Sequence, residues 1–219
     1  MIVVIPNLVN DAEIAALRAI AAEGGFGAGK ASTGKYLKGA KDNLEVIDSA
    51  AQTRVREIVQ SAIGRNGQVS DTILPKYFTA PLMSLYREGM HYGRHLDLAM
   101  SQQNRLRSDM SMTLFLSELD SYAGGELEID SDYGRQRIRL PAGHAVFYPT
   151  LFPHEVKPVT RGERLACVLW VQSAVREAER RRVLSDLAAL SGQFERPRQN
   201  DAYDLLMRCH QNLLRMWAS

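Results

Sequence analysis

Two hydrophobic periods succeed one another along this chain, and their order sets the architecture. Residues 2–5 form a short apolar run that reads as a strand. Asn10 followed three residues later by Glu13 is a capping-box pattern, and Ile14, Leu17 and Ala21 then recur on one face. Together they predict a helix running to about Ala22. Residues 24–39 are rich in Gly, Lys and Ser and read as a loop. A second helix is predicted over 49–63, with Val55, Ile58, Val59 and Ile63 turned inward. From Leu74 to about Ser173 the pattern changes to short alternating stretches broken by Gly, Pro, Asp and Ser. Residues 81–87, 111–116, 145–148 and 164–171 read as strands, and residues 130–134 read as the turn of a hairpin joining 126–129 to 137–140.

Helical spacing returns after Gln172. It predicts one helix from Val175 to Leu190, a linker over 192–198, and a last helix from Asp201 to Trp217. That helix carries Tyr203, Leu206, Leu213 and Trp217 on one stripe, which either packs internally against the barrel or forms the face of a homodimer. The expected fold class is α+β. Its core is a double-stranded β-helix, a jelly roll whose mouth can hold a ligand, with N-terminal helices packed on it and C-terminal helices after it. The simplest division is a jelly-roll domain over residues 1–173 and a helical extension over 174–219.

Four residues carry candidate chemistry. His95 and Asp97 stand two apart, so on an extended segment both point to one side and can grip one ion while Leu96 turns the other way into packing. His154 follows the next apolar run, and Arg164 stands ten residues beyond it. Two imidazoles and one carboxylate can bind one face of iron(II) and leave the opposite positions open. A guanidinium can hold the far carboxylate of a dicarboxylic co-substrate in a planar fork. The set points to iron and 2-oxoglutarate.

Longer segments support that reading. Residues 86–97, 107–117, 122–127, 140–143, 146–149, 159–165 and 170–173, with His154 and the closing helix, are similar to the bacterial PKHD-type hydroxylases, a branch of the prolyl/lysyl hydroxylase-like 2-oxoglutarate oxygenases. The similarity covers nearly the whole chain. It implies iron ligands at His95, Asp97 and His154, and a 2-oxoglutarate-binding arginine at Arg164. Tyr86 is then a second donor to the co-substrate carboxylate, against the alternative of a packed aromatic. The resemblance also implies dioxygen as co-substrate, L-ascorbate as a reductant, and for some members a link to iron supply. His144 departs from the family pattern, which has an acidic residue there. The expected activity is hydroxylation of an unidentified substrate with release of succinate and CO2. A peptidyl proline or lysine, a free amino acid and a small metabolite such as a siderophore all remain open, with residues 24–39 and 100–109 as the loops that would choose. The alternative class is a non-catalytic sensor of iron or 2-oxoglutarate.

The bulk properties exclude other classes. A chain of 219 residues buries a sizeable core, and a net charge of +2 suggests no polyanionic partner such as nucleic acid. Arg180, Arg181 and Arg182 read as a solvated helix face. No apolar run is long enough to cross a bilayer, and residues 1–5 are too short for a signal core and are cut by Pro6. With two widely separated cysteines, Cys167 and Cys209, the expectation is reduced thiols in a cytoplasmic protein. The Gly-rich segment from Gly24 to Lys35 resembles a phosphate-cradling loop, but Ala31 and Tyr36 stand where a magnesium-binding hydroxyl is required, so no nucleotide is expected. His91 and His95 have zinc-helix spacing without its glutamate, and Gly89 and Gly93 weaken any helix there. His210 reads as an ordinary helix residue, while His144 keeps a place near the iron site because it precedes the strand leading to His154.

Overall fold

The computed structural model describes residues 1–29, 40–101, 105–194 and 201–219. The chain opens with β1 (Val3–Ile5) and α1 (Asp11–Glu23). The capping box is present: the Asn10 side chain accepts from the Glu13 amide and the Glu13 carboxylate accepts from the Asn10 amide, each at 2.9 Å. Then come β2 (Phe26–Ala28), β3 (Lys41–Asp42), β4 (Leu44–Val46), α2 (Ser49–Arg65) and α3 (Gly67–Ile73). The strand region holds β5 (Pro75–Phe78), β6 (Leu82–Tyr86), β7 (His91–His95), β8 (Met110–Phe115), β9 (Tyr122–Gly124), β10 (Leu127–Ser131), β11 (Gly134–Ile138), β12 (Ala145–Pro149), β13 (His154–Val156), β14 (Val159–Gly162) and β15 (Arg164–Ser173). The helices α4 (Ala178–Ser191) and α5 (Asp201–Trp217) close the chain.

Among the described residues, an eight-stranded sheet runs β1-β12-β8-β15-β6-β4-β2 with β5 also on β15, and a five-stranded sheet runs β11-β10-β13-β7-β3. Every pairing is antiparallel, as a jelly roll requires. The central strand β8 is buried along its whole length, while β15 alternates buried and half-buried positions. Their outward residues, Met112, Leu114, Cys167 and Leu169, pack with Leu17, Val55 and Val59 of α1 and α2. On the inward face Phe115 of β8 joins Tyr86, Tyr148, Leu127 and Val156. Fully burying each such side chain contributes about 1.5–3 kcal/mol. The helices therefore hold the outer face of the large sheet, and the inner face is left to the site.

Several expectations change. The segment 24–39 is not all loop: β2 lies in it and pairs with β4, which gives the β4 edge a partner, while residues 30–39 lie outside the described residues. Helix α3 was not predicted. It is short and is set off by the Asn66 side chain accepting from the Val69 amide. The β10–β11 hairpin is tighter than expected, with Ser131 opposite Gly134 across a two-residue turn. Helix α4 starts at Ala178 rather than Val175, because Val175 is bridged in extended form to Ala218. Arg181 is not on a solvated face. It is buried, and its guanidinium donates to the carbonyls of Val175 and Arg176 at 2.8 and 2.7 Å. The α5 stripe packs on α4 instead of the barrel, with the Arg180 guanidinium carbon 5.5 Å from the Trp217 ring centre. Part of the 192–198 linker lies outside the described residues. No described helix is long and apolar enough to cross a membrane.

Candidate functional site

His95 ends β7, His154 opens β13, and the two stand directly opposite in the sheet register. Asp97 lies two residues past the end of β7. Ligand atoms of the three fall within 4.8 Å of one another, and they are the one such His/Cys/Asp/Glu group among the described residues. The His95 Nε2 is 3.9 Å from Asp97 Oδ1, and the His154 Nε2 is 3.6 Å from Asp97 Oδ2.

The far side of each ring fixes its tautomer. His95 Nδ1 donates to the Gly93 carbonyl at 2.8 Å, and His154 Nδ1 donates to the Phe152 carbonyl at 3.0 Å. Nε2 is thus the nitrogen of each ring turned toward Asp97, the arrangement metal-binding histidines use. Burial, and after it the neighbouring His154, pushes the His95 imidazole down to about 4, so it is neutral at physiological pH.

A β-bulge builds the wall beside His95. Val156 opposes Tyr92 while His154 opposes His95, so β7 spends one extra residue over this stretch. The extra residue puts Tyr92 and His95 on the same face, and their rings stack with centres 3.7 Å apart and planes 15° apart. On the other side the Tyr148 ring meets His154 edge-on at 5.0 Å. Ser111, fully buried on β8, donates from Oγ to Asp97 Oδ2 at 2.5 Å.

A cavity of about 320 Å³ opens between the sheets over these residues, and Arg164 and Tyr86 line it too. Arg164 is 1% exposed. Its guanidinium carbon sits 5.2 Å from the Tyr86 ring centre and 5.3 Å from that of Phe115. Among the described residues, Nε and Nη2 have no hydrogen-bond partner and no carboxylate pairs with the group. A buried unpaired cation costs several kcal/mol, roughly, and that cost marks a place made for an anion. Burial raises the Tyr86 phenol to about 12, with Arg164 partly opposing, so the hydroxyl keeps its proton and remains a donor. Elsewhere on the wall, Lys41 pairs with Glu45 at 2.5 Å and lies 5.4 Å from the Tyr92 ring centre.

The sequence-predicted residues His95, Asp97, His154, Arg164 and Tyr86 thus line one cavity. Leu96 does not turn into packing: it is 52% exposed at the cavity mouth, because the chain has already left the strand. His144 is not near the site. It precedes β12 at the end away from Tyr148, with Nδ1 3.3 Å from the Ala142 carbonyl. His91 starts a strand rather than a zinc helix, and neither it nor His210 on α5 joins the cluster. Tyr92, Ser111, Lys41 and Glu45 were missed. Only the Gly93 between the two stacked rings hinted at a bulge.

Residues 81–172 match the model of the 2OG-Fe(II) oxygenase superfamily. Over 225 aligned residues the chain is 40% identical to a PKHD-type hydroxylase of Verminephrobacter eiseniae, covering 100% of this chain and 99% of that one. The chain belongs to the PKHD-type hydroxylases. Its fold is that of solved oxygenases at lower identity. A prolyl hydroxylase from Trichoplax adhaerens, in complex with a hypoxia inducible factor peptide fragment, aligns with a TM-score of 0.57 at 20% identity over 84% of this chain and 86% of that one. A prolyl-4-hydroxylase of Pseudomonas putida aligns with a TM-score of 0.53 at 20% identity over 78% and 92%. Membership makes this PKHD-type hydroxylase a 2-oxoglutarate-dependent dioxygenase that uses iron(II). The residues present fit both groups: two imidazole nitrogens and a carboxylate suit iron(II), and a buried guanidinium without a carboxylate partner among the described residues suits a carboxylate.

Proposed function

We propose that His95, Asp97 and His154 hold iron(II), that Arg164 holds the C5 carboxylate of 2-oxoglutarate, and that a prime substrate is hydroxylated in the rest of the cavity. The observation that carries this reading is the buried Arg164 guanidinium, without a counter-ion among the described residues, in the same cavity as three converging potential ligand atoms. Bound there, iron and 2-oxoglutarate supply dioxygen activation, with oxidative decarboxylation of the co-substrate to succinate and CO2 coupled to hydroxylation of a substrate carbon.

The protein's own part is binding and orientation. The carbonyls of Gly93 and Phe152 keep both imidazoles in the metal-binding tautomer, and the Tyr92 and Tyr148 rings hold their planes. Arg164 engages the far carboxylate with a fork, and the protonated Tyr86 hydroxyl adds a second donor. Leu82, Leu127, Val156 and Val168 line the cavity and limit water around the reacting atoms.

A peptidyl proline is the first substrate to test, since two solved structures that share the fold are prolyl hydroxylases. Peptidyl lysine, free amino acids and small iron-binding metabolites follow. Ascorbate is the reductant to test in this reading, and a link to iron supply, implied by the resemblance for some members of the family, is part of the same proposal. The free Cys167 and Cys209 suit a reducing, cytoplasmic setting. Residues 174–219 act as a helical appendage, whose exposed Leu205 and Met216 offer a face for a second copy of the chain.

The test is an anaerobic titration with iron(II) and 2-oxoglutarate. A visible charge-transfer band should appear only when both are present. A wild-type protein that binds both without that band would overturn chelation of the co-substrate at the metal.

A further inference from the structure

We propose that Ser111 is a positioning residue of the metal centre, whose hydroxyl occupies one oxygen of Asp97 and leaves the other to the ion. The proposal rests on the reading of Asp97 as a ligand and goes beyond it. The three ligands are not held alike. His95 and His154 sit in paired strands, and each ring is fixed by a backbone carbonyl and a tyrosine ring. Asp97 lies past the end of β7, outside any strand, between the exposed side chains of Leu96 and Leu98. Nothing in its own segment orients the carboxylate.

The orientation comes from across the cavity. Ser111 is 0% exposed on the inner face of β8, opposite Tyr148 of β12 and Trp170 of β15, so its backbone is held on both sides. Its Oγ donates to Asp97 Oδ2 at 2.5 Å, and among the described residues it is the one hydrogen-bond donor to that carboxylate. A hydrogen bond to an ionised acceptor is roughly twice as strong as a neutral one.

The chemical consequence is denticity. A carboxylate with both oxygens free can chelate an ion and consume a position that the co-substrate or dioxygen requires. A hydroxyl on Oδ2 withdraws electron density from that oxygen and stops the group from rotating, which leaves Oδ1 as the donor. Binding the ion then costs less ordering, because the carboxylate is already placed. Ser111 and Thr113 are the polar inward positions of β8, and the hydrogen bond to Asp97 comes from Ser111. Ser111 alone of the two serves Asp97.

The experiment measures manganese(II) affinity and the cobalt(II) absorption spectrum of the full chain, anaerobically and without 2-oxoglutarate, for Ser111→Ala, Ser111→Thr and Asp97→Ala. Ser111→Ala should keep the metal-free melting temperature near wild type, bind manganese about 10–100-fold more weakly, and change the cobalt ligand-field bands. Ser111→Thr, which keeps the hydroxyl, should recover most of the affinity and the wild-type bands. A role in packing alone would alter neither spectrum nor affinity. Wild-type affinity and bands in Ser111→Ala, with both lost in Asp97→Ala, would overturn the proposal and leave the ligand assignment standing. Wild-type binding in Asp97→Ala would overturn the ligand assignment itself. If Ser111→Ala fails to fold, Ser111→Cys fills the space with a weaker donor, and the same losses are expected from it.

Discussion

Arg164 opens β15 directly opposite Tyr86 on β6, and the Tyr86 ring lies against its guanidinium. Phe115, on the strand at the other side of β15, contacts it as well. The cation is held between aromatic faces, which desolvate it and supply modest cation–π attraction but no negative charge. Its hydrogen-bonding edge is thus kept for a ligand.

Arg164→Ala should still bind iron(II) but bind 2-oxoglutarate much more weakly. Losing one partner of a buried charge-assisted pair costs about 2–5 kcal/mol, so the affinity should fall by several factors of ten. Arg164→Lys should recover part of this, since an ammonium supplies charge without the fork. Calorimetric titration of 2-oxoglutarate into the manganese-loaded protein checks both, and unchanged affinity in Arg164→Ala would remove the clamp.

Gly125 makes room for the Arg164 stem. Its φ is +65°, and a Cβ there would stand 2.9 Å from Arg164 Cδ. Gly125→Ala should therefore lose about 1–3 kcal/mol of stability from backbone strain alone. It should also weaken 2-oxoglutarate binding by displacing the arginine stem, while manganese affinity stays near wild type. Thermal melts and the same titration separate the two effects, and an unshifted co-substrate affinity would show that the stem yields without moving the guanidinium.

What could be read from the sequence follows the range of each interaction. The capping box of α1, the i, i+2 pair His95 and Asp97, and the alternation along β15 are local, so they appear in the chain as spacing. The bulge that stacks Tyr92 on His95 depends on how β7 pairs with β13, and strict alternation would have placed the two rings on opposite faces. Ser111 looked like one polar position in an apolar strand until register set it beside Asp97. The burial of Arg181 was missed because three consecutive arginines read as a solvent face, whereas the middle one serves carbonyls left free where β15 ends.

Replacing His95, Asp97 or His154 singly by Ala should abolish tight iron binding and leave the fold in place. Each is one of the three converging side chains proposed to hold the ion, and the helix-packed outer face of the large sheet does not depend on them. His91→Ala is the control, since that ring lies at the other end of β7 and outside the cluster. Metal analysis after gel filtration gives the answer: full iron occupancy in any of the three variants would dismiss that residue as a ligand.

The metal-free protein should lose stability as the pH falls below that of a free histidine. Burial, and after it the neighbouring His154, lowers the His95 pKa from 6.5 to about 4, so the unfolded chain takes up this proton first. The contribution of neutral His95 is then fully present above pH 6.5 and is lost progressively as the pH drops toward 4. Between pH 6.5 and about 5 most carboxylates remain ionised, so histidine dominates the slope. Melting temperatures of the metal-free protein should fall across that window, and His95→Gln should flatten the decline. A bound divalent ion occupies Nε2 and excludes the proton, so manganese-loaded protein should hold its melting temperature to lower pH. An equal slope in wild type and His95→Gln would assign the titration to another group.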